Sequence, residues 1–170
     1  MMAPIGASLF IILSAPYSQV VVDALMREWP HQFGFIAATA TAIPVALALL
    51  VAVRRIRHRR LFRYSLLAAG VGIGAAVVII GEFAAAETFH FVEYGVLAAL
   101  LYRACAQYDG VAAVMVPLAA CVTVGVLDEW FQWFIPIRTG EIRDVLLNVV
   151  TSTCGLLLAM AFEPPRGLSR

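Results

Sequence analysis

The chain has 170 residues, of which 62% are hydrophobic and 14% charged, and its mean hydropathy is +0.90. Soluble domains are roughly half apolar and about a quarter charged, so this composition excludes an ordinary soluble domain. The length allows about five or six membrane crossings of about 20 residues each, with nothing left for a soluble domain. The sequence therefore predicts one domain, residues 1–170, folded as an all-α bundle of transmembrane helices.

The first apolar run, residues 5–22, contains several polar side chains and Pro16. It predicts a first transmembrane helix with a kink at the proline. A cleaved secretory signal is disfavoured because the run has no basic region before it and Pro16 directly follows the small pair Ser14-Ala15. Residues 23–32 predict a polar connector, and residues 33–53 predict a second span that bends at Pro44.

The densest charge run is Arg54 to Arg60, with Arg63 just beyond it, and every one of the 12 basic residues is Arg. Because this run lies between two apolar spans, it indicates a cytoplasmic loop rather than a nucleic-acid site, and no nucleic-acid partner is expected. Four further spans are predicted at residues 66–80, 83–103, 111–134 and 144–162.

This topology has six crossings and places both chain ends in the cytoplasm. It puts nine arginines on the cytoplasmic side and three on the outer side, as the positive-inside rule favours. If residues 5–22 lie in the membrane interface instead, five crossings remain and the N-terminus is outside. Residues 1–82 are expected to be a scaffold, and residues 84–162 to carry the functional groups. The predicted inside set is Arg54, Arg55, Arg57, Arg59, Arg60, Arg63, Arg103, Arg166 and Arg170; the outside set is Arg27, Arg138 and Arg143.

The stretch from Asp128 to Asn148 is the one long polar interruption in the apolar second half. Such a stretch must lie in water or be satisfied inside the protein. Helical spacing aligns polar residues along one stripe on each of the last three helices. The stripes are Glu87, His90 and Tyr94, with Glu93 beside them, on the fourth helix; Asp128, Glu129 and Gln132 on the fifth; and Asp144, Asn148 and Thr151 on the sixth.

With a rise of about 1.5 Å per residue, His90, Asp128 and Asn148 each lie roughly 6–10 Å below the same, outer, membrane face. The three stripes are therefore expected to converge in one pocket that opens toward the outer leaflet. Arg138 follows the fifth helix in the connector and can point back into this pocket. An aromatic belt at the interface is expected from Trp130, Phe131, Trp133 and Phe134.

Two roles follow from the residue types. Arg138 is a candidate to hold a phosphate, a carboxylate or another polar head group, while His90 beside a buried carboxylate is a candidate for proton transfer. The alternative is structural: Arg138 would bridge carboxylates and lock three helices together. The candidate binding residues are Arg138, Gln132, Asp144, Asn148, Tyr94 and Glu93, and the candidate catalytic residues are His90, Glu129 and Asp128.

The acids outnumber the cations in this region, which favours a bound cation, proton or ligand over a simple lock. A metal held by His90 and carboxylates is disfavoured because Arg138 is close by, and no cofactor is expected. The three cysteines fall in or at the ends of apolar runs and are expected to be buried hydrophobic residues. The acids are Glu87, Glu93, Asp128, Glu129, Glu141 and Asp144, against Arg138, Arg143 and His90.

These motifs resemble the VanZ-like family of small bacterial membrane proteins over about residues 84–160. The chain differs from the usual family pattern at Ala86-Glu87, where an acid-Lys pair is common, and at Thr151, where a Gly is common. The founding member is associated with teicoplanin resistance, so the resemblance implies a multi-pass protein of the bacterial cytoplasmic membrane with a cell-envelope role. The matching motifs are His90-Phe-Val-Glu93-Tyr94 followed by Gly95-Val-Leu97, Asp128-Glu129-x-x-Gln132, Pro136-x-Arg138-x-Gly140 and Asp144-Val-Leu-Leu-Asn148.

The sequence leaves three classes of function open. The first is a protein that binds or shields a lipid-linked envelope precursor or an amphiphilic antibiotic, with membrane lipids as partners. The second is an enzyme that acts on such a lipid by acid-base chemistry. The third is an accessory subunit that contacts protein partners through an apolar surface such as the face of Gly70, Gly72 and Gly74. A transporter is disfavoured because no inverted repeat is visible.

Overall fold

The computed structural model describes residues 2–80, 87, 89–135 and 141–165, without the side chain of Gln19. Within these residues the regular secondary structure is helical and contains no strand, so the all-α prediction is confirmed. Six α-helices are described: α1 Met2–Glu28, α2 Pro30–Arg55, α3 Arg60–Ile80, α4 Phe89–Ala104, α5 Ala112–Gln132 and α6 Ile142–Phe162.

The polar stretch at residues 23–32 is not the connector that the sequence predicted, because only Trp29 separates α1 from α2. Pro30 lies in the first turn of α2, where its missing N–H and fixed φ are compatible with a helix start. The segments Met2–Ser18 and Val20–Glu28 of α1 meet at a bend of 48°. The bend lies close to Pro16, the residue from which a kink was predicted.

Four helices, α2, α3, α5 and α6, are long and apolar enough to cross a membrane, and α1 is a fifth if its bent halves form one span. The described part of α4 has 16 residues, and residues 83–86, where the predicted fourth span begins, lie outside the described part. Large apolar side chains are exposed along the helices, including Phe10, Phe35 and Ile79. Exposure on this scale indicates surfaces that contact lipid. Six crossings and cytoplasmic ends remain predictions.

The centre of the bundle is α6, which packs against α3, α4 and α5. On α3, Gly70 faces α6: a methyl group added there would lie 3.1 Å from the carbonyl oxygen of Cys154. Gly74 faces Phe91 of α4, at 3.4 Å from the ring, whereas a methyl group at Gly72 would meet nothing within 4 Å. Of the three glycines expected to contact a partner subunit, Gly70 and Gly74 therefore pack against other helices of the same chain, and only Gly72 points away from them.

The two ends of the bundle carry different chemistry. One end holds the start of α4, the end of α5 and the start of α6. The opposite end holds the Arg-rich turn between α2 and α3, where Arg63 donates to the carbonyl oxygens of Ala161 (2.5 Å) and Phe162 (2.6 Å). Arg103 pairs with Glu163 at the same end, at 2.7 Å. This separation agrees with the predicted grouping of the Arg run with Arg103.

Candidate functional site

Two close approaches between helices position the polar stripes. A methyl group added to Gly155 of α6 would lie 2.5 Å from the Cα and carbonyl oxygen of Gly95, so the backbones of α4 and α6 are in direct contact. A methyl group added to Gly125 of α5 would lie 3.1 Å from Cβ of Asn148 and 3.5 Å from the Tyr94 ring. Small residues at both crossings allow α4, α5 and α6 to bring their polar groups to one level.

The first pair in this cluster joins α4 to α5. Tyr94 is fully buried, and its hydroxyl donates to Oδ2 of Asp128 over 3.2 Å. The imidazole of His90 stacks one turn away on the Tyr94 ring, with centroids 6.0 Å apart and planes inclined by 26°. Tyr94 is therefore an internal hydrogen-bonding residue rather than a member of the interfacial aromatic belt.

A second network joins α5 to the start of α6. Glu129 accepts from Nε2 of Gln132 over 3.3 Å and from the backbone N–H of Glu141 over 3.1 Å. Glu129 and Gln132 are both buried. The N–H at position 141 immediately precedes α6, where backbone donors have no partner within the helix. The carboxylate of Glu129 thus ties the start of α6 to the end of α5.

On α6 the central polar side chain is Asn148, which is 1% exposed. Its Oδ1 and Nδ2 atoms are both buried and find no hydrogen-bond partner in the described part of the chain. Oδ1 of Asp144, one turn earlier, is likewise buried and has no hydrogen-bond partner among the described residues. The hydroxyl of Thr151, by contrast, donates to the backbone carbonyl oxygen of Asn148 over 3.1 Å. The cluster therefore combines hydrogen-bonded pairs on α4 and α5 with a carboxamide on α6 whose donor and acceptor find no partner among the described residues.

The rim of the cluster is more exposed. Arg143 forms an ion pair with Glu87 over 3.3 Å, and Glu93 is half-buried on α4. Arg138 lies among residues 136–140, outside the described part, so the lock between Arg138 and the carboxylates stays a prediction. Three residues of the expected aromatic belt are exposed, namely Trp130, Trp133 and Phe134, whereas Phe131 is half-buried.

Neither of the two cavities described for the chain is lined by this cluster; both lie beside α2 and α3. The structure brings Tyr94, Asp128 and Asn148 together, with His90 and Asp144 one turn away. Among the described residues, no group of three or more His, Cys, Asp or Glu side chains is arranged to hold a metal. Cys121 and Cys154 are buried, and Cys105 is partly buried.

Sequence reasoning did not assign a packing role to the glycines that allow the cluster to form. Gly125 lies one turn before Asp128, Gly95 directly follows Tyr94, and Gly155 lies two turns after Asn148. Gly is unfavourable in a helix interior, so Gly125 and Gly155, which lie at helical spacing from Asp128 and Asn148, were an available signal of close helix contact. Ser152, which is fully buried beside Thr151, was also missed.

Among protein families, the VanZ/LLP1 family profile matches residues 9–163 of the chain. The chain belongs to the VanZ/LLP1 family. The match covers nearly the whole chain, so the VanZ-like resemblance also extends to α1, α2 and α3, beyond the motif-bearing half. No curated protein and no solved structure matches the chain significantly. VanZ/LLP1 membership together with the apolar helices indicates a membrane protein.

Proposed function

We propose that this VanZ/LLP1 protein binds the polar head group of an amphiphilic cell-envelope molecule in the cluster between α4, α5 and α6. The ligand class is a lipid-linked envelope precursor or a glycopeptide antibiotic with an acyl chain, held at the outer leaflet. The apolar part of such a ligand would remain in the lipid phase beside the exposed side chains of the helices. The protein would thereby bind or shield the molecule without changing it.

The observation that carries the proposal is the Asn148 carboxamide. A buried amide without partners costs about 1–3 kcal/mol for each unsatisfied group, and water that could satisfy it is scarce at this depth in a membrane. Neighbouring side chains of the cluster do form hydrogen bonds, such as that between Tyr94 and Asp128, and Oδ1 of Asp144 is a second acceptor that has no partner among the described residues. A carboxamide that has no partner among the described residues is best explained by a ligand that supplies both a donor and an acceptor.

The surrounding charge indicates what kind of head group fits. The described rim and core carry six carboxyl groups, from Glu87, Glu93, Asp128, Glu129, Glu141 and Asp144, against one guanidinium, Arg143, and the imidazole of His90. Carboxylates accept hydrogen bonds from hydroxyl and ammonium groups. A head group rich in sugar hydroxyls or amines therefore suits the cluster, and Arg138 in the adjacent connector would bind a phosphate or carboxylate of the same ligand.

A second candidate function is acid-base catalysis on such a lipid, and one contact favours it. The Tyr94 hydroxyl donates to Asp128 while His90 stacks on the same ring, so three groups that exchange protons lie next to one another. The two candidates predict different behaviour of His90→Ala. If the protein only binds, the wild type converts no ligand and His90→Ala still retains it. If the protein is an enzyme, the wild type converts the ligand, and His90→Ala retains the ligand but no longer converts it.

The test compares Asn148→Leu with the matched control Gln107→Leu. Gln107 is an exposed carboxamide in the connector between α4 and α5, far from the cluster along both helices. Purified proteins are incubated with a lipid-linked saccharide precursor or with teicoplanin, and retained ligand is measured by mass spectrometry. We expect Asn148→Leu to fold normally, since its side chain makes no hydrogen bond to the described residues, and to lose about 1–3 kcal/mol of binding. Equal retention by wild type and both variants would contradict the proposal.

A further inference from the structure

A second site is indicated at the opposite end of the bundle, where a cavity of about 560 Å³ opens between α2, α3, α4 and the end of α6. This volume is in the range of small-molecule sites, roughly 300–1,000 Å³. The Arg-rich turn borders this cavity, which therefore lies at the end of the bundle opposite the polar cluster. Its lining residues are Leu47, Ala48, Val51, Arg55, Arg63, Arg103, Phe162 and Glu163.

The lining is divided into a charged part and an apolar part. Three Arg side chains come from three different helices, and Glu163 is the single acid among the residues that line the cavity, which leaves a formal charge of +2. The apolar part continues from this charged end along α2 through Val51, Ala48 and Leu47. A cationic end joined to an apolar wall matches a phosphate group joined to an acyl chain.

The three arginines differ in the contacts that they make within the chain. Arg63 is held by the carbonyl oxygens that end α6, so it contributes charge but is fixed in position. Arg103 binds Glu163, but both side chains are more than half exposed, and exposed ion pairs contribute little stability. Arg103 can therefore turn toward an incoming anion at low cost. Arg55, exposed at the end of α2, completes the set from the third helix.

We propose that this cavity binds one anionic phospholipid, with its phosphate between Arg55 and Arg103 and one acyl chain along α2. Basic residues near a membrane surface favour anionic lipids, and pockets of Arg between transmembrane helices bind their head groups. Arg suits this task because its guanidinium stays charged near lipid and binds a phosphate through two parallel hydrogen bonds. The site is independent of the polar cluster, because no residue is shared between them.

The test uses protein in nanodiscs of phosphatidylcholine, with or without about one fifth phosphatidylglycerol, and counts retained lipids by native mass spectrometry. Wild type is expected to retain one phosphatidylglycerol molecule in preference to phosphatidylcholine. Arg55→Gln and Arg103→Gln should each weaken this preference about fivefold, the effect of one cation near an anionic lipid. Arg57→Gln, an exposed arginine of the same turn that does not line the cavity, is the matched control and should change nothing.

Glu163→Gln gives a test of the opposite sign, because it removes the carboxylate that competes for Arg103, and phosphatidylglycerol retention should increase. A general loss of folding cannot produce increased retention. Equal losses in Arg57→Gln and Arg55→Gln would show a nonspecific surface charge effect and overturn the proposal. Inorganic phosphate or glycerol phosphate that displaces phosphatidylglycerol at equal concentration would overturn the lipid assignment, because the acyl chain would then add no affinity.

Discussion

Gly155→Ala should separate α4 from α6 and destabilise the whole polar cluster. The added methyl group would lie 2.5 Å from two backbone atoms of Gly95 and 2.9 Å from a third, whereas favourable contacts between heavy atoms lie at about 3.5–4.0 Å. No side-chain rotation can relieve this overlap because the opposing atoms are backbone. The helices must move apart by roughly 1 Å, and overpacking of this kind costs about 1–3 kcal/mol.

The matched control is Gly72→Ala on α3, where the methyl group meets nothing within 4 Å. Both substitutions improve helix propensity by up to about 1 kcal/mol, so the control isolates the steric term. Thermal unfolding in detergent, followed by tryptophan fluorescence, should show Gly155→Ala melting several degrees lower, at about 2–4 °C per kcal/mol for a chain of this size. Gly72→Ala should melt at or slightly above the wild-type temperature. If both variants melt together, α4 and α6 are not in backbone contact.

Three further predictions follow from the contacts described above. Tyr94→Phe removes the hydroxyl that donates to Asp128 and should lower the free energy of unfolding by about 0.5–1.5 kcal/mol in a denaturation titration; an unchanged midpoint would contradict the bond. Arg63→Gln loses two bonds to the end of α6 and should destabilise more than Arg57→Gln, whose parent side chain is exposed, and the reverse order would refute this capping role. Cysteines introduced at Arg57 and at the exposed Ile142 should react with impermeant reagents from opposite sides of the membrane, the first from the cytoplasm; reaction from the same side would exclude the topology.

The fold class and the apolar spans could be predicted because lipid imposes long apolar helices on any chain that crosses it. The connector between α1 and α2 could not, because residues 23–32 are polar whether they lie in a loop or extend two helices beyond the membrane. The residue at which a helix ends could not be predicted for the same reason. Ile56, for example, lies in the Arg-rich turn and yet is buried, packing with Ala52 and Leu67.

The candidate site was predictable in part for a similar reason. Helical spacing predicts a polar stripe on each of α4, α5 and α6, and one member of each stripe, Tyr94, Asp128 and Asn148, lies in the same cluster. The hydrogen-bond partner of each polar side chain was not predictable, because the spacing of residues along one helix does not determine which group of a neighbouring helix a side chain contacts. Glu129, for example, binds a backbone N–H at the start of α6, a contact that depends on the path of the connector.

Asn148 offers the most direct measurement of whether the cluster binds a head group, because it is the only asparagine in the sequence. Selective ¹⁵N labelling of asparagine side chains gives one pair of amide proton signals, which report the hydrogen bonds of this carboxamide alone. Addition of a lipid-linked saccharide precursor should shift this pair, while the same polyprenol without its head group should leave it unchanged. Signals that stay fixed with the precursor, with teicoplanin and with the polyprenol would contradict a ligand at Asn148.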